Sequence, residues 1–443
     1  MRIQLSDHFS FNRLIRFVLP SIAMVLFTSL YTIIDGLFVS NFVGKTPFAA
    51  LNFIWPVIQA VSGVGFMIAA GGSAYVAKLL GEKKSEEANK AFSLLIYSTI
   101  VLAIILSIIF AKLTPSIAYL LGARGEFLEN CIIYGKINFY GLTFYLLQSI
   151  FQSFFIAAEK PALSLYTSII SGIVNAVLDF IFMGVMHLGL ASAAYATIIG
   201  QAVGAIIPLV YFLSKNNSLL RLVKPSFNKD VILKTCSNGA SEMVTNISGS
   251  IVGILFNYQL MHIAGEDGVA AYGAIMYVVF VFNAINIGYS MGHAPIVSYN
   301  YGANNTSELQ NIFKKSIQIL LTTGVFMIVF SELLSSPIVK LFASYDKTLY
   351  EVTLHGFRVY VISFLLTGVN MWGSAFFTAL NNGRASAILS FFRTFLFQVS
   401  CVILLPMLFG IDGIWFSIVL AETLSTIMLA TFIIYLRDDY HYY

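Results

Sequence analysis

The chain has 443 residues, 58% of them hydrophobic and only 10% charged, with a mean hydropathy of +0.83. These values exclude a soluble domain and place the chain among polytopic membrane proteins. The formal net charge of +4 sits in short loops, where it sets topology and gives no sign of a nucleic-acid partner.

The N-terminal stretch "MRIQLSDHFSFNRLIRF" carries Arg2, Arg13 and Arg16 ahead of an apolar run. That run is too long for a signal h-region and lacks a small-residue cleavage site, so it is read as the first span. Stretches of about 20 apolar residues per crossing predict twelve transmembrane helices, near 16–38, 48–77, 91–111, 134–157, 162–185, 189–213, 231–261, 268–295, 315–335, 355–380, 386–408 and 412–436. Between the sixth and the seventh lies "SKNNSLLRLVKPSFNKD", residues 214–230, polar, basic and broken by Pro225. It is read as a cytoplasmic linker between an N-lobe of residues 1–213 and a C-lobe of residues 231–443. An even number of spans puts both termini on one side. That side carries 17 Lys and Arg, the other side 7, and Arg393 lies within a span, so the termini are expected to be cytoplasmic.

Sequence stretches recur at a fixed offset of 221 residues. "GKTPFAALNF" at 44 pairs with "GEDGVAAYGA" at 265, "AYVAKLLGEKKSEEANKAF" at 74 with "PIVSYNYGANNTSELQNIF" at 295, and "LGLASAAYATIIGQ" at 188 with "FGIDGIWFSIVLAE" at 409. Six spans per repeat give both halves the same membrane orientation. The expected fold is therefore all-α, two six-helix bundles related by a pseudo-two-fold axis along the membrane normal.

The informative residues are acids inside apolar helices. A charged group at the bilayer centre costs about 2.5–3.5 kcal/mol even on lenient scales, so its default reading is functional. At about 1.5 Å per residue, Asp35 lies roughly 28 Å up the first span and Asp179 roughly 26 Å up the fifth. Thr197, about 8 residues down the sixth span, reaches the same level, and Asn175 shares a helix face with Asp179. Two carboxylates and two further oxygen-bearing groups at one depth suit either of two roles. They can hold and release a proton near neutral pH, or they can form a hard oxygen shell for Na⁺. The competing expectation is that each acid only holds helices together. At the repeat offset Asp35 falls on Phe256 and Asp179 near Cys401, so this acid pair belongs to the first half alone.

The order and spacing of "LPSIAMVLFTSLYTIIDGLFVS", "NAVLDFIF", "GLASAAYATIIGQ", "NGASEMVTNISGSIVGILFN" and "NNGRASAILSFFRTFLF" resemble the multidrug and toxic compound extrusion (MATE) transporters over the whole chain, closest to the MepA-type bacterial branch. The resemblance implies a V-shaped pair of bundles in the bacterial cytoplasmic membrane. It further implies a secondary active antiporter, with no cofactor, that exports small organic cations in exchange for H⁺ or Na⁺ by alternating access. The family's N-lobe cation site falls on Asp35, Asn175, Asp179 and Thr197, and the proline that bends its first helix on Pro20. The family's "LDP" in the fifth span is "LDF" here, which leaves the backbone near Phe180 better hydrogen-bonded. Another branch of the family uses acids deep in the seventh and tenth spans; here the tenth has Asn370 and no carboxylate, which speaks against a C-lobe cation site.

For the substrate cavity the candidates are Gln148 and Gln152 of the fourth span, Glu242 of the seventh, and Asn283 and Asn286 of the eighth, among many aromatic and Met side chains suited to flat cations. Glu242 either meets a cationic drug or pairs with Lys234. Glu422 is expected to pair with Arg393, and His293 to be a satisfied helix-end residue. The alternatives are a lipid-linked saccharide flippase or an exporter of an endogenous metabolite on the same fold. A flippase would need several cavity-facing Arg or Lys, and only Arg393 lies within a span. An enzyme is not expected: the six histidines lack "HExxH" spacing, and Cys131, Cys236 and Cys401 lack metal spacing. The protein is expected to function as a monomer.

Overall fold

The structure is a computed structural model that describes residues 3–343 and 346–443. Arg2, counted in the charge census, lies outside the described residues. The regular structure among the described residues is helical, with no strand. In chain order the helices are α1 Phe11–Val43, α2 Lys45–Gly81, α3 Ser85–Leu120, α4 Gly125–Tyr140, α5 Leu142–Ala157, α6 Pro161–Val185 and α7 Leu190–Leu213. After a coil come α8 Lys229–Gly265, α9 Asp267–Gly302, α10 Thr306–Leu333, the short α11 Ser335–Ala343, α12 Lys347–Val361, α13 Phe364–Ala379, α14 at 383–409 and α15 Ile411–Tyr440.

Among the described residues, nine helices are long and apolar enough to cross a membrane, and two bent pairs bring the number to eleven. The longest of the nine, Gly383–Tyr440, breaks at Gly410, whose φ of +59° only glycine adopts cheaply, and it doubles back there. It therefore counts twice, and the chain has the twelve spans its hydropathy predicts.

The bent pairs are a feature the sequence reading does not anticipate. The fourth span breaks by 54° between α4 and α5, at Gly141, where the side chain of Ile198 fills the space a Cβ would need. The tenth breaks by 50° between α12 and α13, at Ile362, the residue that stands 221 places after Gly141. The turns obey the same offset: Gly44 (φ +118°) and Gly265 (φ +63°) end the first and seventh spans in the left-handed region.

Apolar burial divides into clusters. Ile68, Phe92, Phe151, Phe154 and Phe212 form the centre of one, and Val39, Ile54, Tyr134 and Phe139 of another, both in the first bundle. Phe256, Phe282, Phe357 and Trp415 centre a third, in the second bundle. A fourth, around Phe313, Trp372 and Phe376, also takes in Leu5, Phe9, Leu14, Phe17 and Val18. The start of the chain is thus buried against the second bundle.

The bundles meet along one seam in the half of the molecule that carries both termini. There Gly71 of α2 packs backbone to backbone on Thr235 and Gly239 of α8, Gly81 on Tyr299 of α9, and Gly288 and Gly292 of α9 on Ile22 and Val18 of α1. The α8 face that packs at Gly239 and Met243 has nothing within 4 Å of a Cβ on Gly253 and is exposed at Asn257. On α9, Gly273 likewise has nothing within 4 Å. The bundles are closed on the termini face and splay apart toward the opposite face.

Candidate functional site

Asp35 is the carboxyl of α1 just before its last, widened turn: the helix passes into a π-helical stretch over Val39–Val43, and the Val39 N–H is bonded to the carbonyls of Asp35 and Gly36. Asp179 stands at a second such turn, Phe180–Val185. A π turn inserts one residue into the helix and re-aims the side chains around it, which is why such turns gather at functional sites. The Phe180 N–H, which a proline would lack, is bonded to the carbonyls of Ala176 and Val177, as the "LDF" sequence implies.

Asp179 has 0% exposure, and neither of its carboxyl oxygens has a hydrogen-bond partner among the described residues. Asp35 is half-buried, with one oxygen likewise bare. The two carboxyls lie near enough for their charges to act on each other, and Asn175, whose Nδ2 is likewise without a hydrogen-bond partner among the described residues, stands one helical turn below Asp179. Buried polar atoms are normally paired, and an unpaired carboxyl oxygen is among the most costly to leave bare. Two facing acids with no donor between them are relieved by a shared proton or a small cation, and oxygen is the right donor for either H⁺ or Na⁺.

Close packing of α6 on α7 sets the remaining geometry. Gly200 of α7 sits so near α6 that a Cβ there would come within 2.9 Å of Asn175 Cβ and of the Ser171 carbonyl. The antiparallel register places Thr197, one turn before Gly200, level with Asp179. Its hydroxyl is buried and donates to the Ala193 carbonyl at 3.0 Å, so the oxygen keeps its lone pairs as acceptors. The structure thus sets Asp35, Asn175 and Asp179 in one neighbourhood, and the α6–α7 register puts Thr197 at their level. Two residues went unnoticed in the sequence: Tyr134 of α4, buried beside both acids, and Tyr31 of α1, one turn before Asp35. Nothing in the sequence distinguishes them among 23 tyrosines.

The five cavity candidates are not gathered in one place. Gln148 donates to Ser171 Oγ at 3.1 Å and Gln152 to Ser168 Oγ at 2.9 Å, so both amide nitrogens tie α5 to α6, with Gly204 leaving room for the first. Asn286 is buried against Gly368 of α13. Asn283 has a bare amide oxygen, and Glu242 is half-buried with no ion pair among the described residues, so the pairing with Lys234 is not formed. Pro20 lies inside α1, and its missing N–H leaves the Arg16 carbonyl without a helical partner.

In the second bundle the expected ion pair is formed. Arg393, on a third π turn at Phe392–Phe397, donates from Nε and Nη2 to Glu422 at 2.9–3.1 Å, and Asn370 Nδ2 donates to the same carboxylate at 2.6 Å. Glu422 is 1% exposed and fully engaged, the converse of Asp179. His293 departs from its expected role. It is buried in an aromatic cluster, its Nδ1 accepting from Trp372 Nε1 at 3.3 Å and its Nε2 without a partner among the described residues.

Comparison with known proteins agrees with this architecture. The MatE family model matches the chain twice, over residues 20–181 and 242–404, one match in each bundle. A multidrug export protein MepA of Staphylococcus haemolyticus is 27% identical over 428 residues, spanning 96% of this chain and 93% of that protein, and one of Staphylococcus aureus is 26% identical over 432 residues, spanning 97% and 94%. Among solved structures, a MATE protein in complex with MaL6 superposes with a TM-score of 0.90 at 21% identity, over 95% of each chain. An outward-facing multidrug resistance MATE transporter superposes at 0.89, also at 21% identity, over 95% and 94%. Twelve spans in two bundles, one model matched once in each, and curated relatives aligned nearly end to end place this membrane protein in the MatE family of multidrug and toxic compound extrusion transporters.

Proposed function

We propose that the chain is a secondary active multidrug efflux antiporter that exports small organic cations in exchange for H⁺ or Na⁺ by alternating access. The observation that carries this reading is Asp179: fully buried, bare at both carboxyl oxygens, and facing Asp35. A proton or Na⁺ held between the acids draws α1 toward α6, and its loss leaves two negative charges side by side away from water, which pushes the helices apart. Ion occupancy is thereby linked to the position of α1, the helix whose other half packs on the second bundle. A bend at Pro20 lets the two halves of α1 respond separately.

The working units are an N-lobe of residues 1–213, a cytoplasmic linker at 214–230 and a C-lobe of residues 231–443, with both termini in the cytoplasm and the cleft opening outward. The protein resides in the bacterial cytoplasmic membrane and acts as a monomer without a cofactor. On the C-lobe side the organic cation is received by Glu242 and Asn283, whose side-chain oxygens are not engaged in an ion pair or hydrogen bond among the described residues. Gln148 and Gln152 hold α5 to α6, and Asn286 packs α9 on α13, so these three shape the lobes rather than meet the cation. Because Arg393 fills the Glu422 site, ion exchange is assigned to the N-lobe alone. The test is efflux of an ethidium-type cation from proteoliposomes with a pH gradient and a Na⁺ gradient imposed separately. One of the two is expected to drive efflux, and failure of both would refute the antiporter reading.

A further inference from the structure

Residues 3–10 precede the first helix, yet they are among the most thoroughly anchored coil in the molecule. Leu5 and Phe9 have 0% exposure. The Leu5 N–H donates to Glu159 Oε1 at 2.8 Å, in the turn between α5 and α6 of the N-lobe. Its carbonyl accepts from Asn300 Nδ2 of α9 at 3.3 Å, in the C-lobe. Four residues on, Glu308 in the first turn of α10 takes the Phe9 N–H at 2.9 Å on Oε1 and His8 Nδ1 at 2.7 Å on Oε2. The Phe9 carbonyl then accepts from Asn311 Nδ2 at 3.0 Å and from Lys315 Nζ at 2.6 Å. One short segment therefore touches both lobes, and it does so across the end of the seam that is closed. Glu159 takes φ +59° as the left-handed residue that ends α5, the Lys160 N–H bonding back to the Phe155 carbonyl.

The seam beneath is dense but imperfectly satisfied. Ser21 Oγ of α1 and Thr235 Oγ1 of α8 are buried there without partners among the described residues. Polar atoms buried without partners make the seam easier to part than an apolar one, so bonds that bridge the two lobes weigh more in keeping it shut.

We infer that residues 3–10 are an inter-lobe strap, that Glu159 and Glu308 are its two clamps, and that the strap leaves at least one clamp before the termini face opens. The inference rests on the alternating-access reading and names the element that sets the balance between its two states. Opening that face moves Glu159 with one lobe and Glu308 with the other, and a strap of eight residues bonded to both cannot follow both.

The experiment places spin labels on cysteines at Glu87 and Ser307, exposed positions at the termini face of the two lobes, in a background lacking Cys131, Cys236 and Cys401. Distances are measured on the full-length protein in lipid nanodiscs. The intact strap should give a single short distance. Deleting residues 2–8, or replacing Glu308→Ala, should add a longer one, its population rising roughly tenfold for the loss of one or two good hydrogen bonds. Glu159→Ala, which leaves the α10 helix start untouched, should act in the same direction. Unchanged distances in the deletion would overturn the strap, and so would a shift in Glu308→Ala alone, since that would trace to the start of α10. No drug and no gradient is present, so failure of ion coupling would leave this result standing, and failure of the strap would leave ion coupling standing.

Discussion

Gly81 of α2 and Gly302 of α9 lie against each other across the seam: a Cβ on Gly81 would overlap the Tyr299 carbonyl oxygen, and one on Gly302 the Lys78 carbonyl oxygen. These are one contact written twice, since Gly302 stands 221 residues after Gly81 and Tyr299 stands 221 after Lys78. The same shift turns the contact of Gly71 with Gly239 into that of Gly292 with Val18. The pseudo-two-fold axis passes through the closed seam.

Alanine at either position of this pair should therefore wedge the termini face open. Overpacking of a close backbone contact costs about 1–3 kcal/mol, so Gly81→Ala and Gly302→Ala should each raise, roughly tenfold or more, the labelling rate of a Ser21→Cys probe buried in the seam. Equal effects at the two positions are expected from the symmetry, and a Ser21→Cys probe that stays protected in both variants would contradict it.

The ion pair of the second bundle should behave as structure. Arg393→Met strands the buried Glu422 carboxylate and should cost about 3–5 kcal/mol, while Arg393→Met with Glu422→Leu replaces both charges and should lie close to wild type. Thermal unfolding in detergent checks this, and a double variant as unstable as the single would mean that the pair does more than balance itself.

Gly200 controls the distance between α6 and α7. Gly200→Ala should push Thr197 away from Asp179 at a packing cost of about 1–3 kcal/mol. It should weaken the effect of the coupling ion on a bound fluorescent cation while leaving binding of that cation in place. Equilibrium fluorescence titration with and without the ion separates the two, and an unaltered ion response would remove Thr197 from the site.

Orientation has its own check. A cysteine at Asn217, in the coil before α8, should react only from the cytoplasm, and one at Lys347, at the start of α12, only from outside. Both positions are exposed. The reverse pattern would invert the assignment of the cleft.

Much of this was legible in the sequence because membrane physics leaves strong periodic signals. Twelve apolar stretches, a repeat with one offset, and two acids at one calculated depth follow from lengths and rises alone. The pairing of Arg393 with Glu422 follows from the cost of leaving either bare. Other features left no local signal. The π turn over Phe180–Val185 keeps an ordinary apolar sequence, nothing in the turn over Phe392–Phe397 but the charge of Arg393 sets it apart, and the 54° break at Gly141 depends on Ile198, more than fifty residues away. The burial of Leu5 and Phe9 depends on Glu159 and Glu308, 154 and 299 residues distant. The surroundings of His293 are hidden for the same reason: its burial is made by Trp372 and Phe376, from a helix that hydropathy cannot position. The sequence carries depth well and lateral neighbours poorly.

The central claim is that Asp179 and Asp35 together carry the coupling ion, and its most direct measurement is gradient-driven efflux by Asp179→Asn in proteoliposomes. Asparagine keeps the size of the side chain but can neither exchange a proton nor supply negative charge. The variant should insert, fold and bind a fluorescent cation, yet lose efflux driven by the gradient that drives wild type. Asp35→Asn should do the same, and the double variant should be little worse than either, because residues that act as one unit are not additive. Normal gradient-driven efflux by Asp179→Asn would contradict the account and leave Asp179 as a residue that only holds α6 in its bundle.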